Sequence, residues 1–320
     1  MTSHTPIRWG LLGTGNITAK LLRGARLSGE VTVTAVGSRT SERADAFAAA
    51  NDIPRAHGSY EALLADPEVD AVYISLPNSL HHVWTMASLA AGKHVLCEKP
   101  YSRHPEQVTE AFDAAEAAGL VLEEAFMWRH TPQVRKLLEL LPGLGPVRVV
   151  RSTFGFLLDR PYDVRIDALL DGGSLMDVGC YCVSASRLVA GEPERVTAEQ
   201  VMGPSEVEIR FAGLMRHPDG VLATFNSGFD GATESLEVIG RDGRLFLPDP
   251  WHSTRGELYL DDERIQVEPT NPYQLELEDV NAAIRGERAP LLGRADALGQ
   301  ARAIEALYRA AAAGTPVGLD

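Results

Sequence analysis

Arg8-Trp9-Gly10-Leu11-Leu12-Gly13-Thr14-Gly15-Asn16-Ile17-Thr18-Ala19 carries an apolar strand into a helix through one tight turn, and its reading decides the fold. Gly13 and Gly15 permit the turn and let the backbone approach a pyrophosphate, which then sits on the first amides of the following helix, at Asn16 and Ile17, and on its positive dipole. The third glycine of the usual G-x-G-x-x-G pattern is missing, and Thr18 stands in its place. Alone, such a turn is weak evidence. Its context is stronger, because it follows a strand, opens a helix and begins a regularly alternating region.

From Ile7 to about Glu124, short apolar runs (Ile7–Leu12, Val31–Val36, Ala71–Ser75, His94–Leu96, Leu120–Glu123) alternate with helical stretches such as Glu42–Ala50 and Pro105–Ala118. This spacing predicts a doubly wound parallel sheet of the Rossmann kind. After about Val147 the strands Val147–Phe156, Glu206–Phe211, Val221–Ser227 and Ser235–Ile239 follow one another, with turn signals at Pro218-Asp219-Gly220 and Arg241-Asp242-Gly243. They predict an α+β domain with a mainly antiparallel, open sheet. Helices near Tyr273–Ile284 and Ala295–Ala313 close the chain. The expected division is 1–125 for dinucleotide binding and 126–320 for substrate binding and oligomerisation, with the last helix able to pack back across the junction.

The strand at Val31–Val36 leads to Gly37-Ser38-Arg39-Thr40, where an enzyme preferring NAD would carry an acidic side chain for the ribose. No carboxylate appears before Glu42, while Arg39 can pair with a 2'-phosphate and Ser38 can donate to it. NADP(H) is the expected cofactor, with NAD left open. At the carboxyl end of another buried strand, where ligands bind in such sheets, stands Glu98-Lys99-Pro100. Pro100 forces Lys99 into an extended backbone and allows a cis bond before it. Gly172-Gly173-Ser174-Leu175-Met176-Asp177-Val178-Gly179-Cys180-Tyr181 reads as a helix capped by Ser174, with Asp177 and Tyr181 four apart on one face.

Taken together, Gly13-x-Gly15, Glu98-Lys99-Pro100 and Gly172-Gly173…Asp177-x-Gly179-x-Tyr181 resemble the glucose-fructose oxidoreductase / inositol dehydrogenase (Gfo/Idh/MocA) family. The resemblance extends over nearly the whole chain, including Pro77-Asn78-Ser79-Leu80-His81 and Glu124-Ala125-Phe126-Met127-Trp128-Arg129. It implies Lys99 as the catalytic lysine, Tyr181 in the acid/base place with Asp177 positioning it or a substrate hydroxyl, and Leu76, Pro77, Asn78, His81, Glu98 and Lys99 itself beside the cofactor. Tyrosine where most members carry histidine points to the subgroup of aldose dehydrogenases, dihydrodiol dehydrogenases and keto-sugar reductases, and away from inositol dehydrogenases. The phenol, with an ordinary pKa of about 10, would rely on a nearby ammonium such as that of Lys99 to serve as a base.

Trp128, Arg129, Asp163, Arg165 and Asp177 are the substrate-side candidates. The pair His81-His82 lacks a third ligand of suitable spacing, so no metal is expected. A formal charge of -14 argues against nucleic-acid or anionic-membrane partners. Cys97, Cys180 and Cys182 read as reduced thiols, and the start Met1-Thr2-Ser3-His4-Thr5-Pro6 shows no leader, so a cytoplasmic enzyme with an exchangeable cofactor is expected. The sheet of the second domain is a candidate surface for a homodimer or homotetramer. A family member that binds the dinucleotide as a sensor, without turnover, is the alternative of a different class.

Overall fold

The computed structural model describes residues 5–160 and 162–319. Met1–His4, part of the stretch read for a leader, lie outside the described residues. No described helix is long and apolar enough to cross a membrane.

The chain divides into two compact units, the first built from residues 1–102, 106–127 and 271–297 and the second from the remainder. The first unit runs β1 (Ile7–Leu12), α1 (Asn16–Ala25), β2 (Val31–Gly37), α2 (Ser41–Ala50), β3 (Arg55–His57), α3 (Tyr60–Leu64), β4 (Ala71–Ile74), α4 (His81–Ala90), β5 (His94–Glu98), α5 (Pro105–Ala118) and β6 (Leu122–Ala125). Its sheet is parallel throughout, in the order β3-β2-β1-β4-β5-β6. β4 and β6 are buried at every position. That is what a sheet covered on both faces demands of its strands. The order reverses between β1 and β4, so their carboxyl ends open the crevice where such sheets bind ligands.

The second unit holds α6 (Pro132–Leu140), β7 (Val147–Leu157), α7 (Cys180–Ala190), β8 (Arg195–Met202), β9 (Glu208–Arg216), β10 (Leu222–Gly228), β11 (Asp230–Gly240), β12 (Arg244–Leu247), β13 (Glu257–Leu260) and β14 (Glu263–Gln266). After α8 (Pro272–Ile284) and α9 (Arg294–Ala313), β15 (Val317–Gly318) closes its sheet, whose order is β14-β13-β12-β11-β7-β10-β9-β8-β15. β7 and β10 pair in parallel, and the other described pairs are antiparallel. Alternation of buried and exposed residues from Phe211 to Arg216 and from Leu222 to Ser227 leaves one face uncovered there, with Leu214 and Leu222 about 40% exposed.

The boundary differs from the simple division at residue 125. The penultimate helix α8 and the start of α9 belong to the first unit, while the rest of the last helix belongs to the second. The reason is a close approach of α8 to α1. A Cβ on Gly24 would come within 2.7 Å of Tyr273 Cβ and the Gln274 nitrogen. The buried Trp9 indole donates to Asn281 Oδ1 at 3.1 Å, and Asn281 Nδ2 donates to the Glu30 carbonyl at 2.8 Å.

Candidate active site

At the mouth of β1 the glycines have separate reasons. Gly13 has φ +113°, and a Cβ there would meet Ser75 Oγ at 2.7 Å. Around Gly15 a Cβ would meet nothing within 4 Å, so open space faces the backbone where a pyrophosphate would lie. Gly15 leads α1 without a side-chain cap, and the first turn carries no acidic residue, which leaves its amides and dipole available to an anion. Asn16 is exposed and Ile17 half-buried beside them. Thr18 is fully buried, its hydroxyl against Ser75 Oγ at 2.7 Å and the Gly13 carbonyl at 3.3 Å. The missing third glycine is thus replaced by a side chain that ties the turn to Ser75, the residue after β4. Ser38 is buried at the end of β2, and Arg39 is exposed and makes no ion pair among the described residues. An anion-accepting turn, an unpaired guanidinium and no acid at the ribose position fit a 2'-phosphorylated dinucleotide.

The loops after β4 and β5 are joined by groups expected to touch the cofactor. His81 is completely buried, Nε2 lying 2.8 Å from the Leu76 carbonyl and Nδ1 3.0 Å from the Pro100 carbonyl. Burial lowers its pKa, although the carbonyl bonds oppose this. His81 therefore ties the loops after β4 and β5 together through both ring nitrogens. Pro77 and Asn78 stand half-buried at the start of the short turn leading into α4. Lys99–Pro100 is a cis bond. Glu98 is buried and accepts from Tyr73 Oη at 2.5 Å and from the Lys99 amide at 3.2 Å. Burial and the Glu98 charge hold the Tyr73 phenol well above its ordinary range, so it stays a donor. Tyr73 escaped the sequence reading, since an apolar-looking strand residue gives no sign of its partner. His82 turns elsewhere, toward Tyr101 Oη and Glu110.

In the second unit, Leu175–Gly179 forms a π-helical turn that runs directly into α7. Such widened turns recur at functional sites. Ser174 is not a cap, as its backbone is already helical and its hydroxyl lies against Ser227 Oγ. The capping falls to Glu208 on β9, which accepts from the Leu175 amide at 2.9 Å and from Tyr308 Oη at 2.9 Å. Burial raises the Glu208 carboxyl, and those donors partly offset the effect. Gly173 is required, because φ is +126° and a Cβ would collide with that carboxylate at 2.3 Å.

Tyr181, the second residue of α7, is buried with its ring edge-on to Phe154 (5.2 Å between centroids) and to Trp251 (5.8 Å). Trp251 stacks on Phe154 and meets the buried Trp128 at 5.4 Å. Of the substrate-side candidates, Asp163, Arg165 and Asp177 come together. Arg165 Nε donates to Asp177 Oδ2 at 2.9 Å and Nη1 to Asp163 Oδ1 at 3.0 Å. Asp177 thus answers Arg165. Arg129 lies over the Trp128 ring, with Nη1 3.3 Å from Ser184 Oγ. Phe154 and Trp251 were missed, because an aromatic residue in a strand or loop has the same sequence signature in a core as in a site.

A phenol set among aromatic rings suits proton exchange with an alcohol or carbonyl. Comparison with known proteins agrees with this chemistry. Residues 7–126 match the model of an oxidoreductase family with an NAD-binding Rossmann fold, and residues 134–246 match the GFO/IDH/MocA C-terminal domain. The chain is 41% identical to D-xylose 1-dehydrogenase (NADP(+)) 2 of Haloferax volcanii, over 98% of this chain and 99% of that protein. Its structure is similar to the aldose-aldose oxidoreductase of Caulobacter crescentus solved with glycerol (TM-score 0.90, 30% identity, 98% of this chain and 100% of that one). It is equally similar to a 3-ketoreductase of Actinomadura kijaniata solved with NADP and TDP-benzene (TM-score 0.90, 29% identity, 96% and 98% covered). The glycine turn, the Glu98-Lys99-Pro100 loop, the Tyr181 helix and matches spanning both units place this enzyme in the Gfo/Idh/MocA family of oxidoreductases.

Proposed function

We propose that the protein is an NADP(H)-dependent dehydrogenase of aldose 1-dehydrogenase type, moving a hydride between nicotinamide and a sugar or sugar-like alcohol. The observation that carries this reading is the retained Tyr181, set between Phe154 and Trp251, in a chain similar over its full length to an NADP-linked xylose dehydrogenase. Bound NADP(H) would supply or take up the hydride. Gly13, Gly15 and the first amides of α1 would hold its pyrophosphate, with Arg39 and Ser38 for the 2'-phosphate. In oxidation Tyr181 Oη takes the hydroxyl proton, and in reduction it gives that proton back. Lys99 supplies positive charge for the oxygen as its proton leaves. Asp177, oriented by Arg165, fixes the turn that carries Tyr181.

The test is absorbance at the reduced-nicotinamide band with NADP or NAD against a panel of aldoses, inositols and dihydrodiols, and with NADPH against keto-sugars. Aldose-dependent reduction of NADP is expected. Tyr181→Phe and Lys99→Ala should each cut turnover by at least about 100-fold, the usual contribution of a positioned acid/base group, while NADPH binding is kept. Normal turnover in either variant removes that residue from the mechanism. The likeness to a 3-ketoreductase supports keto-sugar reduction as the second reading, and turnover confined to that part of the panel would establish it. The uncovered face of β9 and β10 is proposed as the self-association surface, to be checked by light scattering with Leu214→Glu.

A further inference from the structure

The aromatic cluster around Tyr181 has a polar edge that the proposed chemistry does not use. On paired strands, Glu234 of β11 stands directly opposite Phe154 of β7, so the two side chains share a face of the sheet. His252 packs edge-on to the same Phe154 ring at 5.9 Å, and its Nδ1 lies 3.8 Å from Glu234 Oε2. Both groups are open to solvent, at 37% and 40% exposure of their side chains. One Phe154 ring thus meets both the Tyr181 ring and His252, the partner of Glu234.

Asp249 lies beneath the pair. One polar atom from each of Glu234, Asp249 and His252 falls within 4.8 Å of the others. Asp249 is 3% exposed. Its Oδ2 accepts from the Thr254 amide, the Thr254 hydroxyl and the Arg255 amide, whereas its buried Oδ1 has no hydrogen-bond partner among the described residues. A buried carboxylate oxygen without a donor is costly. The loop is anchored by Trp251 Nε1 donating to the Thr153 carbonyl at 3.0 Å, and it holds Ser253 in the left-handed region at φ +53°. Strain of that kind is held at binding sites.

We propose that Glu234 and His252, backed by Asp249, bind the hydroxyls of a polyol substrate distant from the reacting carbon, with its ring lying against Phe154. The carboxylates accept from hydroxyl protons and the imidazole donates to a hydroxyl oxygen, so the subsite selects polyhydroxylated substrates. A site built to hydrogen-bond a hydroxyl discriminates strongly against an analogue lacking it, because its polar groups are then left unpaired. This inference rests on the sugar reading above.

The test measures KM and kcat for an accepted aldose and for its analogues deoxygenated at single carbons away from C1, using the wild type, Glu234→Ala, Glu234→Gln and His252→Ala. Thermal melting and NADPH titration check the fold of each variant. For the parent aldose, KM should rise about 10- to 100-fold in the variants, the factor of a hydrogen bond or two to a charged group, with kcat changed much less. The wild-type penalty for one deoxy position should shrink toward unity in Glu234→Ala. An active wild type with the same KM and the same deoxy penalties in all variants overturns the subsite. Loss of wild-type activity on chelator dialysis, restored by a divalent cation, also overturns it by making the cluster a metal site. A wild type inactive on every aldose instead removes the underlying sugar reading.

Discussion

Arg39 shows how much one side chain can decide. It is exposed, unpaired among the described residues, and placed just beyond β2 with no competing carboxylate until Glu42. Arg39→Ala should raise KM for NADP about 10- to 100-fold, as expected for losing a charge-assisted phosphate contact, and should change KM for NAD by less than about threefold. Equal effects on both cofactors would show that Arg39 does not read the 2'-phosphate. Arg39 stands out as a candidate in the sequence because its position after a strand is local, and the structure leaves it exposed there. Tyr73, Glu208 and Trp251 were not legible, since each acquires its partner across a sheet register or from a distant loop. The two carbonyls that hold His81 were not legible either, because sequence cannot show which way an imidazole faces.

At the level of elements, the glycine turn carries the clearest requirement. Gly13→Ala combines a left-handed φ with a Cβ that would press on Ser75 Oγ. A loss of about 1–3 kcal/mol is expected from denaturant titration, accompanied by weaker dinucleotide binding, since relief of the strain would move the backbone away from the pyrophosphate. Unchanged stability would mean that the turn adapts. The long strands and helices of both units follow from their apolar periodicity, and α5 begins and ends where the sequence placed it. The strands β12, β13 and β14 did not stand out, because four residues each, with charged members, are too few to show a period. The π-turn was read as ordinary helix, since apolar spacing over five residues does not separate a 4-residue from a 5-residue hydrogen-bond step.

For the molecule as a whole, pH exposes a cost hidden in α8. Glu276 is fully buried, and neither of its carboxylate oxygens has a hydrogen-bond partner among the described residues. Burial, with the nearby charges of Glu98, Glu123 and Asp279, pushes its pKa well above the ordinary 4.5. The folded protein therefore keeps a proton that the unfolded chain releases. The associated stability is complete below about pH 4.5 and is lost as pH rises through the folded value. Glu276→Gln removes this loss and should raise Tm by a few degrees at pH 8, with a smaller change at pH 5. A gain that is the same at both pH values would place the ionisation elsewhere.

The docking of α8 on α1 also bears on how the chain is made. When a ribosome has added residue 127, every strand of the six-stranded sheet exists, yet the helix that meets Gly24 and supplies the partner of the Trp9 indole is still more than a hundred codons away. The nucleotide-binding unit is completed only after the intervening segment has been synthesised. A nascent chain stalled before residue 271 carries an uncovered helix face, and it is in that interval that chaperones have most to protect.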